Sequence, residues 1–569
     1  MMKNPDVIVI GAGGGGPVIA KELGEMGIQV LVLEAGPWYG NKQWPEPNQH
    51  RGLAQESSDP QDLDGSLYRK QITRLEHDMN NPVSGKFRLG PADRRRSPWY
   101  RNLPNPGLLL WQNAGIGGTT LHYWANSPRA FPYAIDEGWP ISYKELIPYY
   151  EKVEETLPIE FAPMTSKEAL FFYGAEQAGF SLNRTLDVTE SGYRPQPNAI
   201  LPPNENLMNP EYSLEQLSHM EGCTLSGHCE HGCPYGPSLD KMAKRSTNVS
   251  YVPLAMKTGN VTFRPNTFTT NILTELDASG NVSAVGVRCR NTWTGEVEEI
   301  LSKVVVMAAG SIESPRLWLN SDLPHNSWVG RGLTNHYIDT VTGIFDKKTL
   351  MQVIGSPTID PFVGHTSGAR LDYPGLGTVQ DMGLSPGLLA MMHYGSSQAG
   401  YNEFLASGLW DQKGRITGAE LKDNMDDYRR SLSLLLITDD EIKFHNRVEL
   451  DPHTEDEHGP VAAVHYTPSK TEEKKRIQLT KIAMNLLRKA GARKIHRNDI
   501  AANFYIHPKS TMRMGKVVDL SCEAYQVNRL YLADNSVQAN AIGGTNPTLT
   551  TQALATRTAE LLARKYFSN

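Results

Sequence analysis

The chain has 569 residues, of which 21% are charged, and its 56 basic and 62 acidic side chains give a formal net charge of −6. That balance argues against nucleic acid as the main partner, the lack of a long apolar run argues against a transmembrane segment, and five cysteines in so long a chain exclude a small disulfide scaffold. The length suits a large α/β enzyme of two interleaved lobes, and the weakly acidic surface suits a neutral small molecule.

Met1-Met2-Lys3-Asn4-Pro5 leads directly into a strand, with no basic segment, apolar h-region or twin arginines, so no export signal is expected on this chain. The strand Val7-Ile8-Val9-Ile10 enters Gly11-Ala12-Gly13-Gly14-Gly15-Gly16-Pro17. A helical stretch with Ile19 and Leu23 on one face follows, and then the strand Val30-Leu31-Val32-Leu33, ending at Glu34. This is a βαβ unit with Gly11, Gly13 and Gly16 at the G-x-G-x-x-G positions of a dinucleotide-binding turn. The first glycine allows the tight turn, the second the close approach of a pyrophosphate, and the third the helix–strand contact. The helix N-terminus favours a diphosphate by about 0.3–2 kcal/mol per charge. Glu34 stands where a carboxylate binds ribose hydroxyls.

Residues 40–110 are polar and rich in Pro and Asn, which predicts a long excursion over the surface, and residues 190–240 are similar. In that second stretch Cys223, Cys229 and Cys233 are spaced C-x5-C-x3-C and followed by Pro234. Soft thiolates so clustered suit an iron–sulfur or zinc site, with His228 or His231 available as a fourth zinc ligand. Buried thiols with no metal are the third reading. Further on, residues 446–466 read as two strands joined by a turn. Residues 529–534 read as a strand and 547–566 as a helix, with Pro547 at its first position and Leu554, Leu561 and Leu562 on one face.

Five segments come in a telling order: the opening DVIVIGAGGGG…VLVLEAG, then NAGIGGTTLHYWANSPR (113–129), VVVMAAGSIESPRLWLNSD (304–322), VGRGLTNH (329–336) and HPKSTMRMG…NPTLTTQALATR (507–557). With them the chain resembles the glucose-methanol-choline (GMC) flavin oxidoreductases over nearly its whole length. Asp322 departs from the pattern, because the family's second signature usually ends in Gly. The resemblance implies an α/β fold in which a Rossmann-like FAD-binding domain is interleaved with an α+β substrate-binding domain. It divides the chain into a first FAD-binding part (1–130), an irregular segment with the cysteines (131–240), a second FAD-binding part (241–344), a substrate-binding domain (345–499) and a third FAD-binding part (500–569).

The resemblance also implies roles. Gly117, Gly118 and Thr119 are expected against the flavin and its phosphate, Asp534 near the ribityl–pyrophosphate region and Phe268 against adenine. Asn546, Pro547 and Thr548 complete the cofactor-binding set. His122 stands where some members attach FAD covalently, with a packing role as the alternative. His507 matches the active-site histidine and Asn546 its partner, the pair facing the reactive N5 edge of the flavin. The chemistry agrees, since hydride removal from an alcohol carbon requires the hydroxyl to lose a proton, and imidazole is suited to take it. A turn-capping role for His507 is the plain alternative. His336 also matches a family position and is read as structural.

With GGTTLHYW, GWPISYKELIPYYEKVEE (138–155) and the cysteines, the chain is most similar within the family to FAD-dependent sugar dehydrogenase catalytic subunits: glucose dehydrogenase, gluconate 2-dehydrogenase and glucoside 3-dehydrogenase. Some of these hold a 3Fe-4S cluster on three cysteines at this spacing. The resemblance therefore implies a dehydrogenase for a hydroxyl of a sugar or glycoside, passing electrons to a carrier such as cytochrome c. It also implies a small partner subunit bearing an export signal and a periplasmic location, with a cytoplasmic enzyme as the alternative. Two rivals remain: a pyranose-oxidase-like enzyme that uses oxygen, with structural or zinc-bound cysteines, and a flavoprotein without catalysis.

Overall fold

A computed structural model describes residues 5–568 apart from 37, 39–101, 105–108, 111, 122, 210, 214–215, 217–219, 226, 228, 230–242, 277, 293, 362, 385, 395–396, 399–415 and 499–503. Its first body is built on a parallel five-stranded sheet in the order Leu530–Leu532, Val304–Met307, Val7–Ile10, Val30–Leu33, Val261–Arg264. The central strands are unbroken apolar runs because helices and loops cover both faces, and all four residues of Val7–Ile10 are buried. Gly16–Glu25 forms the first helix, with a proline in its first turn. The last helix, Thr548–Tyr566, packs against it and against Tyr143–Thr156.

The second body is a seven-stranded antiparallel sheet in the order 397–398, Lys494–Asn498, Ile338–Ile344, Ser431–Thr438, Gly377–Met382, Ala369–Tyr373, Gly192–Pro195. The helix Lys470–Lys489 covers it, opened by a capping box in which Ser469 and Glu472 satisfy each other's backbone N–H groups. Leu479, Ala483, Met484 and Leu487 of that helix join Leu432, Leu434 and Leu436 of the sheet in one core.

Two expected boundaries move. Ile338–Ile344 lies at the middle of the second sheet, bonded to strands on both sides, so the second body draws on residues before 345. Residues 131–240 are irregular only in part, since they open with the helices Pro132–Gly138, Tyr143–Thr156 and Ser166–Gln177, and Gly192–Pro195 supplies an edge strand. The expected pair of strands within 446–466 is present as Arg447–Asp456 and Gly459–His465. That hairpin packs on the helix Gly310–Leu319 of the first body. Pro547 caps the last helix rather than opening it. Asp322 has φ +50°, so the position where the family prefers Gly does demand the left-handed region, and an aspartate fills it.

Candidate active site

One cleft, about 210 Å³ in volume, runs from the glycine loop to the neighbourhood of His507. Gly11, Gly13, Glu34, Gly118, Thr119, Phe268, Asp534 and Thr548 line it, as do Ile506 and Pro508 on either side of His507. Gly11 has φ +101°, and a Cβ there would lie 2.4 Å from the Ala308 carbonyl oxygen, so only glycine makes this turn. At Gly13 an added Cβ would meet nothing closer than 3.9 Å, which leaves room for a phosphate against the backbone. Gly16 sits against the Gly11 carbonyl instead of the cleft. Gly117 is likewise outside the lining and donates to the Ala12 carbonyl at 2.8 Å.

Glu34 organises this end. Its carboxylate accepts the backbone N–H groups of Ala12 (2.8 Å), Gly36 (2.9 Å) and Gly115 (2.9 Å), tying the glycine loop to the 113–118 segment. Burial pushes its pKa up against the pull of those donors. Glu34→Ala would strand three buried N–H groups, each at a cost of about 1–3 kcal/mol. The variant should lose FAD on dialysis and unfold at lower temperature. Undiminished FAD content would contradict this role.

Asp534 accepts from the backbone of Gly310 (2.8 Å) and from Ser314 Oγ (2.6 Å), at the N-terminal end of the helix Gly310–Leu319, and its other oxygen accepts from Ser536 N (2.8 Å). It thereby fixes a helix N-terminus that opens on the cleft. Phe268 carries a stacked neighbour the sequence did not disclose: His458, at the tip of the 447–465 hairpin, lies parallel to it with centroids 3.8 Å apart. Arg316 lies 5.6 Å from the same ring and is held by Glu313 and Asp456.

At the other end, His507 and His336 are joined. Their Nδ1 atoms are 2.9 Å apart, His336 Nε2 is 3.0 Å from the Ala541 carbonyl oxygen, and the His507 backbone N–H donates to Asn335 Oδ1 at 2.9 Å. His336 is thus more than the structural residue expected. Burial, reinforced by Lys509, pushes His507 down to about 3 and His336 well below 6.5, so both rings are neutral near pH 7. A carbonyl only accepts, so His336 carries its proton on Nε2 and offers a lone pair at Nδ1. His507 must then donate from Nδ1, and its Nε2 is left as a bare lone pair. That is the form a general base requires. Asn546, nine-tenths buried, follows Ala541 in the same loop and accepts at Oδ1 from Gln380 Nε2 at 2.8 Å.

Cys223 and Cys229 are both buried. Cys233, with His228 and His231, lies outside the described residues, as does His122. Among the described residues no three metal-ligating side chains converge.

A parallel sheet whose first turn is shaped for a diphosphate, with a neutral imidazole flanked by two residues that line the same cleft, suits a dinucleotide-dependent oxidoreductase. Comparison with known families gives the same answer, because models of the GMC oxidoreductases match residues 213–338 and 443–555. These two stretches are the N- and C-terminal domains of a GMC oxidoreductase, a family of flavoproteins, and the geometry of Glu34, Gly13 and Asp534 fits FAD. The chain is 26% identical to 6'''-hydroxyparomomycin C oxidase of Streptomyces lividus, covering 98% of this chain and 91% of the relative. Identity to 2-methyl-1,2-propanediol dehydrogenase of Mycolicibacterium austroafricanum is 24%, over 99% and 95% of the two chains. The gluconate 2-dehydrogenase flavoprotein of Pantoea cypripedii is 23% identical over 64% of this chain and 60% of its own.

Proposed function

We propose that the protein oxidises a hydroxyl group of a sugar, glycoside or related polyol. Bound FAD would supply the hydride acceptor. The observation that carries the reading is the bare Nε2 of His507, fixed by the bond to His336 and the bond from His336 to Ala541. That nitrogen takes the hydroxyl proton while Asn546 holds the same oxygen. The helix N-termini at Gly16 and Gly310 would hold the FAD diphosphate, and Glu34, by accepting three backbone N–H groups, keeps the glycine loop in shape for it. The relatives named above act, by their names, on an aminoglycoside, a diol and gluconate, which supports a hydroxyl-bearing substrate.

For the acceptor we favour a dehydrogenase in which Cys223, Cys229 and Cys233 hold a 3Fe-4S cluster, a one-electron carrier. A small partner subunit, a cytochrome c and a periplasmic location belong to this reading, supported by the resemblance to a gluconate dehydrogenase flavoprotein. Among the described residues no helix is long and apolar enough to cross a membrane. A second reading, direct reduction of oxygen, is favoured by the full-length match to a protein named an oxidase. Iron and acid-labile sulfide analysis of the wild type and of Cys229→Ser separates the two. The dehydrogenase reading expects iron in the wild type, its loss in the variant, and a collapse of turnover with one-electron acceptors while substrate still bleaches the flavin. Zinc or no metal, with hydrogen peroxide formed at each turnover, would overturn it in favour of the oxidase.

A further inference from the structure

We propose that Gln380 is a positioning residue that fixes which end of the Asn546 amide faces the substrate. Thr378 and Gln380 lie two apart on the strand Gly377–Met382, so both point to one face, and both are fully buried. Thr378 Oγ1 is 3.2 Å from the Gly544 carbonyl oxygen, which only accepts, so the hydroxyl proton is committed there. The same Oγ1 is left as an acceptor 3.3 Å from Gln380 Nε2, and the nitrogen end of the Gln380 amide must face it. The other proton of that NH2 group goes to Asn546 Oδ1 at 2.8 Å. Asn126 Nδ2, from the segment that follows the 113–121 wall of the cleft, completes the arrangement by donating to Gln380 Oε1 at 2.9 Å.

Every polar atom of the Gln380 amide is thus assigned by a backbone carbonyl two bonds away. Asn546 Oδ1 is occupied, which leaves Nδ2 as the end of the amide turned away from Gln380. The amide presents N–H to the site, not C=O. This polarity matters for the proposed reaction, on which the inference rests. As the hydroxyl proton passes to His507 Nε2, negative charge grows on the substrate oxygen, and an N–H donor stabilises it where a carbonyl oxygen would repel it. The loop 541–546 therefore sets both halves of the site: the Ala541 carbonyl leaves His507 a lone pair, and the Gly544 carbonyl, through Thr378 and Gln380, leaves Asn546 a donor.

The test is a double-mutant cycle on anaerobic flavin reduction by stopped flow, with FAD-loaded protein and whichever of D-glucose, D-gluconate, methyl glucoside or paromamine reduces the wild type fastest. Gln380→Met keeps the volume and removes both donors. It should slow reduction by about 10–100-fold, the range found for residues that orient a metal ligand through one hydrogen bond, with FAD content unchanged. On an Asn546→Ala background the same change should have no further effect, because its action passes through that amide. A merely structural glutamine would lower thermal stability and slow both backgrounds alike. If Gln380→Met does not fold, Gln380→Glu is read in the same cycle, since the new carboxylate accepts where the amide donated and turns Asn546 over. A rate within about twofold of wild type, or an equal loss on both backgrounds, would overturn the inference alone. Failure of every substrate to reduce the wild-type flavin would overturn the function reading, and this inference with it.

Discussion

His507→Ala should retain FAD and slow flavin reduction by substrate by about 10²–10⁴, the usual contribution of a positioned general base. FAD retention is expected because the residues that shape the nucleotide end, Glu34, Gly13 and Asp534, belong to other segments of the cleft. The pH profile gives a second signature. Neutral imidazole is the active form, so activity is lost as pH falls through the pKa of His507. An unperturbed imidazole would place that acid limb near 6.5, but burial and Lys509 lower it to about 3. Between pH 5 and 8 the contribution of this group should therefore be flat. Near-normal reduction in His507→Ala would remove the base assignment, and an acid limb near 6.5 that vanishes in that variant would show that His507 is more solvated than its neighbourhood implies.

His336→Leu is the second large effect. It removes the acceptor that holds the His507 proton on Nδ1, so the ring can place the proton on Nε2 and block the base. Losing the group that sets the tautomer of a catalytic histidine costs up to about 10⁴ in rate, and a loss of at least 10² is expected here. His336→Gln, whose side-chain oxygen can accept the same proton, should recover part of the rate. Equal rates in His336→Leu and the wild type, with FAD bound in both, would contradict the proton arrangement. A loss in the Leu variant that Gln does not relieve would point to packing around the buried ring instead.

The nucleotide end was legible in the sequence because its parts are local. Strand, glycine turn, helix, second strand and Glu34 follow one another within the first 34 positions, and each is dictated by backbone geometry or periodicity. The hairpin within 446–466 and the final helix were legible for the same reason. Pairing at long range was not. Ile338–Ile344 reads as any apolar strand, and its place at the centre of the second sheet follows only from partners near 435 and 496. The reacting groups show the same limit. His507 and Asn546 were found by motif, but the residues that set their polarity, His336 and Gln380, lie 171 and 166 positions away from them. The motif around His336 was visible, and a buried histidine matching a family position was the available signal. The stacking of His458 on Phe268 had none, since the hairpin tip reaches that ring only after the hairpin packs on the helix Gly310–Leu319.

The central claim, that a neutral His507 and an oriented Asn546 oxidise a hydroxyl-bearing carbon, is tested most directly by anaerobic mixing of the FAD-loaded wild type with D-glucose, D-gluconate, methyl glucoside and paromamine. Bleaching of the oxidised flavin absorbance by at least one of them is predicted, slower when the oxidised carbon carries deuterium. A flavin that stays oxidised with all four would contradict the account.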